Sequence, residues 1–204
     1  MITAATQIEL PEIFSADVPK AVMATLNQGA QEEAPIALYV GGCVRDAVLG
    51  RTVADLDIAT SMTPPHVTER CEAAGYQVIP TGIEHGTVTV VADGQPFEIT
   101  TLRRDVATDG RRAVVAFSTD WREDAARRDF TMNTLLMDAV GHIYDPTGQG
   151  LSDARAGRVV FVGDPARRIA EDVLRILRFF RFHAAYGRGE PDEELSTTAL
   201  AQSG

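Results

Sequence analysis

The run Ile36-Ala37-Leu38-Tyr39-Val40-Gly41-Gly42-Cys43-Val44-Arg45-Asp46-Ala47-Val48-Leu49-Gly50 changes character at its paired glycines. Before them stands an unbroken apolar stretch with β-branched and aromatic members, the pattern of a buried strand. After them Val44 to Leu49 follows a helical pattern that Gly50 closes. The order is strand, glycine turn, helix. Gly41 and Gly42 let a backbone come close to a ligand, and the start of a helix offers N–H groups to an anion. Arg45, one turn in, is within reach of a phosphate. The spacing is neither GxxxxGK[ST] nor GxGxxG. A plain strand-to-helix turn and a phosphate-cradling turn both remain open at this point.

Downstream stands Asp55-Leu56-Asp57, at the head of the apolar run that ends at Thr60. On a strand, residues two apart share a face, so Asp55 and Asp57 are expected side by side. Like charges at that separation repel. A divalent cation with a preference for hard oxygen ligands removes the conflict, and Mg²⁺ binds through one or two carboxylates together with phosphate and water. A surface turn explains a lone DxD as well. Glu98 alternates with Phe97, Ile99 and Thr101 on a further predicted strand. It is a candidate third carboxylate or a solvent-facing acid.

The chain has 204 residues, enough for one substantial domain and an appendage. Its net charge of −10 excludes generic nucleic-acid binding driven by charge alone. The positive charge is nearly all arginine, with Lys20 the one lysine. It gathers at Arg103-Arg104, Arg111-Arg112, Arg127-Arg128 and from Arg167 to Arg181, and arginine is the better fork for phosphate. Cys43 and Cys71 lack metal-ligand spacing and read as reduced thiols, so no disulfide is expected. No signal sequence and no membrane-spanning run is visible. A cytoplasmic protein is expected, with no membrane partner.

Residues 1–35 read as a polar leader with one helix, residues 36–162 as the main domain, and residues 163–204 as the start of a helical extension. Strands are predicted at 36–40, 55–60, 76–80, 87–92 and 96–102. A helix is predicted from Pro65 to Ala74 with Thr63 as N-cap. Asp93-Gly94 marks a hairpin, so the fold class is α/β (α+β) with a mixed sheet and flanking helices. Arg103 to Trp121 reads as a long loop. One helix is predicted from Asp164 to Tyr186, with Gly187 at its C′ position. Its apolar face is Val173, Leu174, Leu177, Phe180 and Ala184. Asp172, Arg175, Arg178 and Arg181 wind round it as a shallow spiral of charge. Pro191-Asp192 suggests a further helix start.

The ordered blocks GGCVRDAVLG, DLDIAT, FEITTLRRD, TDGRR, RRDFTMNTL, DPTG and EDVLRILRFFRF resemble the class II tRNA nucleotidyltransferase and bacterial poly(A) polymerase family, over roughly Leu38 to Tyr186. The resemblance implies a polymerase β-like nucleotidyltransferase head followed by the start of a neck, with body and tail domains absent. It implies that Asp55 and Asp57 bind catalytic Mg²⁺ and that Glu98 helps activate a primer 3′-hydroxyl. It implies that Gly41, Gly42 and Arg45 hold the triphosphate, with Arg128 on the nucleotide. Asp172 and Arg175 would read the incoming base, and Arg178 and Arg181 would make further nucleotide contacts. The implied activity is CCA addition to the tRNA 3′ end from CTP and ATP. Poly(A) synthesis and partial CC- or A-addition are the alternatives within that chemistry. An idle nucleotide-binding module is the alternative outside it.

Overall fold

A computed structural model describes residues 2–31, 34–109 and 112–190. In chain order its elements are β1 (Ala4–Gln7), α1 (Glu12–Ser15), α2 (Asp17–Leu26), β2 (Ala37–Val40), α3 (Gly42–Val48), β3 (Asp57–Thr60), α4 (Pro64–Ala73), β4 (Gln77–Gly82), β5 (Thr87–Ala92) and β6 (Gln95–Thr101). They continue with β7 (Arg103–Asp109), β8 (Arg112–Phe117), α5 (Trp121–Ala126), β9 (Leu136–Met137), β10 (His142–Tyr144), α6 (Gly150–Ala156), α7 (Pro165–Glu171) and α8 (Leu174–Tyr186).

Every residue of β2 is buried, and the strand sits inside an eight-stranded sheet of order β1-β10-β9-β2-β3-β6-β5-β4. Period two sorts its side chains. Ala37 and Tyr39 join a core with Phe14, Val22, Met23 and Leu26 from the N-terminal helices, while Leu38 and Val40 meet Trp121, Leu136 and Leu102 on the other face. Phe14 packs edge-on to Tyr39 with ring centroids 4.9 Å apart. The pairing is antiparallel throughout except at β3 and β6, which run parallel. The mixed sheet expected from the Asp93-Gly94 hairpin is therefore present. Asp93, at φ 49°, and Gly94, at φ 75°, make that turn in the left-handed region. Thr63 precedes α4 as its N-cap residue, but its hydroxyl bonds the His66 ring instead of a backbone N–H.

Five expectations are corrected. The described part of residues 1–35 is no leader: β1 pairs with β10, and α1 and α2 bury apolar side chains in the core. The segment from Arg103 to Trp121 is a β-hairpin, β7 with β8, and not a loop. Its run Ala113 to Phe117 has strand propensity that the flanking arginines masked; Gly110 and Arg111 lie outside the described residues. The predicted helix from Asp164 to Tyr186 is broken at Asp172, whose φ of −158° and ψ of 106° are extended. Finally, Ile176 and Phe179 are the buried apolar residues of α8, and Phe179 packs on Phe130 and Phe161. Val173, Leu174, Leu177 and Phe180, expected as its packed face, are exposed. Gly187 ends α8 with extended backbone rather than a left-handed cap. Pro191-Asp192 lies outside the described residues.

The N-terminal strand depends on one close approach. Gly141 has φ +91°, and a Cβ there would stand 2.4 Å from the Ile8 carbonyl oxygen. Gly141 also accepts a 2.9 Å hydrogen bond from the Ile8 N–H. Gly29, at φ +80°, has nothing within 4 Å of such a Cβ. Gly29→Ala is expected to cost about 1 kcal/mol of unfolding free energy from backbone strain alone, and Gly141→Ala about 3 kcal/mol or more. Urea denaturation measures both, and equal losses would contradict the packing of the N-terminal segment described here.

Candidate functional site

The parallel pairing of β3 with β6 sets Asp57 directly opposite Glu98. In register on adjacent strands, the two side chains leave the same face of the sheet. Asp55 lies just ahead of β3 and not on it, so the same-face argument for Asp55 and Asp57 does not apply, yet both line one cavity of about 550 Å³ together with Glu98. Among the described residues no hydrogen bond or salt bridge engages these three carboxylates. Burial raises the Asp57 pKa, the Glu98 and Asp55 charges push in the same direction, and Arg128 alone opposes them. Among the described residues no three His, Cys, Asp or Glu side chains gather as a metal cluster. The exposed carboxylates of Asp55 and Asp57 are hard oxygen donors of the type a divalent cation takes one or two of, completing its shell with water and phosphate.

Asp57 also lines a second cavity, of about 450 Å³, between the glycine turn and the junction of α7 with α8. Gly41 shapes the floor. Its φ of 75° and ψ of −127° suit glycine, and a Cβ would sit 3.3 Å from Arg128 Nη1. Arg128 is aimed by Asp124, which accepts from its Nε and Nη2 at 3.1 and 3.0 Å. Arg175 donates to the Glu171 carboxylate at 2.7 Å and to the Arg168 carbonyl at 2.8 Å. Arg178 forks onto Asp129. Asp172 sits in the helix break, where its Oδ1 accepts from the Leu174 N–H at 3.0 Å. Asp172 and Arg175 line this cavity across a break, not as neighbours on one helix.

Two arginines depart from expectation. Arg181 is exposed and lines neither cavity. Arg45 lines the second cavity but is 6% exposed. Four of its five N–H groups are engaged, by Asp46 twice, by Asn133 Oδ1 at 2.7 Å and by the Tyr186 hydroxyl. A guanidinium so engaged braces the glycine turn while it also lines the cavity.

Asp129, Asn133 and Phe182 were not singled out by the sequence reading, although the blocks RRDFTMNTL and EDVLRILRFFRF contain them. Their signal is polar residues four apart beside a buried Phe130: Asn133 Nδ2 donates to Asp129 Oδ1 at 2.9 Å. Burial would raise the Asp129 pKa, but bonds from Asn133 and Arg178 outweigh it and keep the carboxyl below its usual range. A carboxyl depressed in the fold stabilises above its unfolded pKa of about 4, and that stability fades as pH falls through the folded value. Asp129→Asn is expected to lose about 1–3 kcal/mol at neutral pH. Urea denaturation from pH 7 down to about pH 2 should show the gap to the parent closing below about pH 4. A gap independent of pH would refute the ionised state of Asp129.

The poly A polymerase head domain matches residues 37–160. The zebrafish (Danio rerio) mitochondrial CCA tRNA nucleotidyltransferase 1 is 44% identical over 175 residues, 83% of this chain and 40% of that protein. The CCA-adding enzyme of Bacillus pumilus is 40% identical over 178 residues, 86% of this chain and 42% of that protein. The Bacillus stearothermophilus CCA-adding enzyme in complex with CTP superposes with a TM-score of 0.73 at 34% identity, covering 89% of this chain and 42% of the other. A tRNA nucleotidyltransferase with a primer tRNA and an incoming ATP analogue gives 0.66 at 28% identity, covering 87% and 50%. This chain thus spans about two fifths of the length of the curated relatives it matches. With its mixed sheet, paired acidic positions and glycine turn, it belongs to the poly A polymerase head-domain family, among the class II nucleotidyltransferases that include the CCA-adding enzymes.

Proposed function

We propose that this chain is the catalytic head of a template-independent nucleotidyltransferase that adds CCA to the tRNA 3′ end from CTP and ATP, releasing pyrophosphate. The observation that carries the reading is the position of Asp57 where two cavities meet, one rimmed by arginines and the other by carboxylates. The arginine side suits an incoming nucleoside triphosphate, and the carboxylate side suits the acceptor 3′-hydroxyl. An in-line displacement needs attacking and leaving oxygens on opposite sides of the reacting phosphorus, which this division provides.

Asp55 and Asp57 would hold Mg²⁺, with Glu98 beside them. Bound there, divalent cations activate the attacking hydroxyl and neutralise the charge of the leaving pyrophosphate. Glu98 is suited to accept the proton of the 3′-hydroxyl. Arg128 and Arg178, aimed by Asp124 and Asp129, bring positive charge to the nucleotide, and the glycine turn lets the triphosphate approach the backbone. Asp172 and Arg175 offer acceptors and a donor fork to a base edge. Both cysteines are unpaired and buried, consistent with a reducing compartment, and the compartment proposed is the cytoplasm. No described helix is long and apolar enough to cross a membrane.

Incubating a tRNA that lacks its 3′ CCA with CTP, ATP or both, in Mg²⁺, tests the reading. CC from CTP alone and CCA from both are expected, and none in EDTA. A long A tail would select poly(A) synthesis. No product, with CTP and ATP still raising the melting temperature, would select an idle binding module.

The carboxylate assignment has its own readout. The raised Asp57 pKa means that its ionised form destabilises the fold at neutral pH. Asp57→Asn is expected to melt no lower than the parent in EDTA, because it removes like-charge repulsion from Glu98 and Asp55 that water screens at this exposed position. Added Mg²⁺ should raise the parent's melting temperature and leave the variant's unchanged, with nucleotide transfer abolished. A variant that melts lower than the parent in EDTA, or keeps transferring, contradicts the assignment.

A further inference from the structure

We propose that Tyr186 and Arg51 form a latch that fixes α8 against α3, and that through it Tyr186 is a positioning residue for the nucleotide cavity. The inference rests on the nucleotide reading of that cavity for its functional consequence only.

The Tyr186 ring lies 4.0 Å from the Arg45 guanidinium carbon and 4.5 Å from that of Arg51. Its hydroxyl accepts from Arg45 Nη2. Arg51, just beyond α3, also donates to the Ala185 carbonyl at 2.9 Å. Phe182, one turn earlier on α8, lies 5.3 Å from the same Arg45 carbon. The C-terminal end of α8 is thus held by cations stacked on aromatic faces.

The hydrogen bonds close a circuit. Arg178 grips Asp129, Asp129 accepts from Asn133, Asn133 accepts from Arg45, and Arg45 donates to Tyr186. It begins and ends on α8, at residues about 12 Å apart along the helix axis. Between these anchors α8 is tied to the residues that flank the glycine turn. Gly41 and Gly42 form one wall of the cavity, Arg175 and Arg178 the other. The latch therefore sets the spacing of the two walls. Tyr186 lines neither cavity, so its effect on a nucleotide is indirect.

Three variants of the full chain test this: Tyr186→Leu, Tyr186→Phe and Arg51→Met. Two readouts are needed, the affinity for CTP and for ATP in Mg²⁺ and the hydrogen exchange of the α8 amides. Tyr186→Leu should weaken both nucleotides alike by about tenfold, the equivalent of about 1.4 kcal/mol, and speed exchange in α8. Tyr186→Phe keeps the stacked ring but loses the hydroxyl that closes the circuit, so it should stay within about threefold of the parent in affinity with α8 exchange between those of the parent and Tyr186→Leu, a partial rescue that the retained ring supplies. Arg51→Met, at an exposed side chain, should show the same direction with a smaller effect, and it decides the matter if Tyr186→Leu does not fold. Unchanged α8 exchange in Tyr186→Leu and Arg51→Met would overturn the latch. Faster exchange with unaltered nucleotide affinity would overturn the positioning role. A parent that binds neither nucleotide would remove the nucleotide reading and the positioning role with it, while the exchange data would still decide the latch.

Discussion

Clustered negative charge that the protein itself does not neutralise is the constraint around which this molecule is arranged. Asp57 and Glu98 lie opposite one another at the one parallel strand pair of the main sheet, with Asp55 beside them. Antiparallel neighbours extend that sheet on both sides. A parallel pair needs a crossover, and here the crossover is α4 with β4 and β5. That topology lets residues 41 positions apart share a face at the sheet's edge of cavities. Most of the arginines nearby are already matched to other acids: Arg128 to Asp124, Arg175 to Glu171, Arg178 to Asp129. The carboxylates at Asp57 are left for something that arrives from outside.

The matched pairs orient more than they stabilise. A half-buried ion pair loses hydration as it gains attraction, and its net contribution is small. Its geometry is what matters here. Asp124 and Asp129 each hold a guanidinium by two nitrogens, a planar arrangement that fixes where the fork points. Arg168 extends the same scheme to the backbone, donating to the carbonyls of Arg127 and Arg128 while pairing with Glu171. The acids and arginines of α7 and α8 thus tie the helical extension to the turn that carries Arg128.

The break at Asp172 follows from competing demands. Phe179 must face Phe130 and Phe161 to be buried, and Arg175 must reach back to Glu171. A short extended step at Asp172 lets α7 and α8 each satisfy its own packing. Its carboxylate satisfies an N–H at the new helix start, which an aspartate does well. The exposed run of Leu174, Leu177 and Phe180 is the remaining apolar face of the same helix.

Much of the fold and of the candidate site was legible in the sequence because it rests on local chemistry. The period-two strands, the Gly41-Gly42 turn, the Asp93-Gly94 hairpin and the acidic pair at Asp55 and Asp57 all announce themselves within a few residues, and the ordered blocks identify the family. What stayed hidden depends on partners distant in sequence. Nothing local distinguishes Arg45, braced by Asn133 and Tyr186, from an arginine open to a phosphate, or says that Arg181 faces away. The N-terminal segment looked like a leader because its strand is short, and only β10 makes it one. The helical periodicity of residues 164–186 ran through Asp172 without a proline or glycine to mark the break. Residue types and spacing determined the elements and the chemistry available; long-range packing decided which side of each helix, and which arginine, faces the cavity.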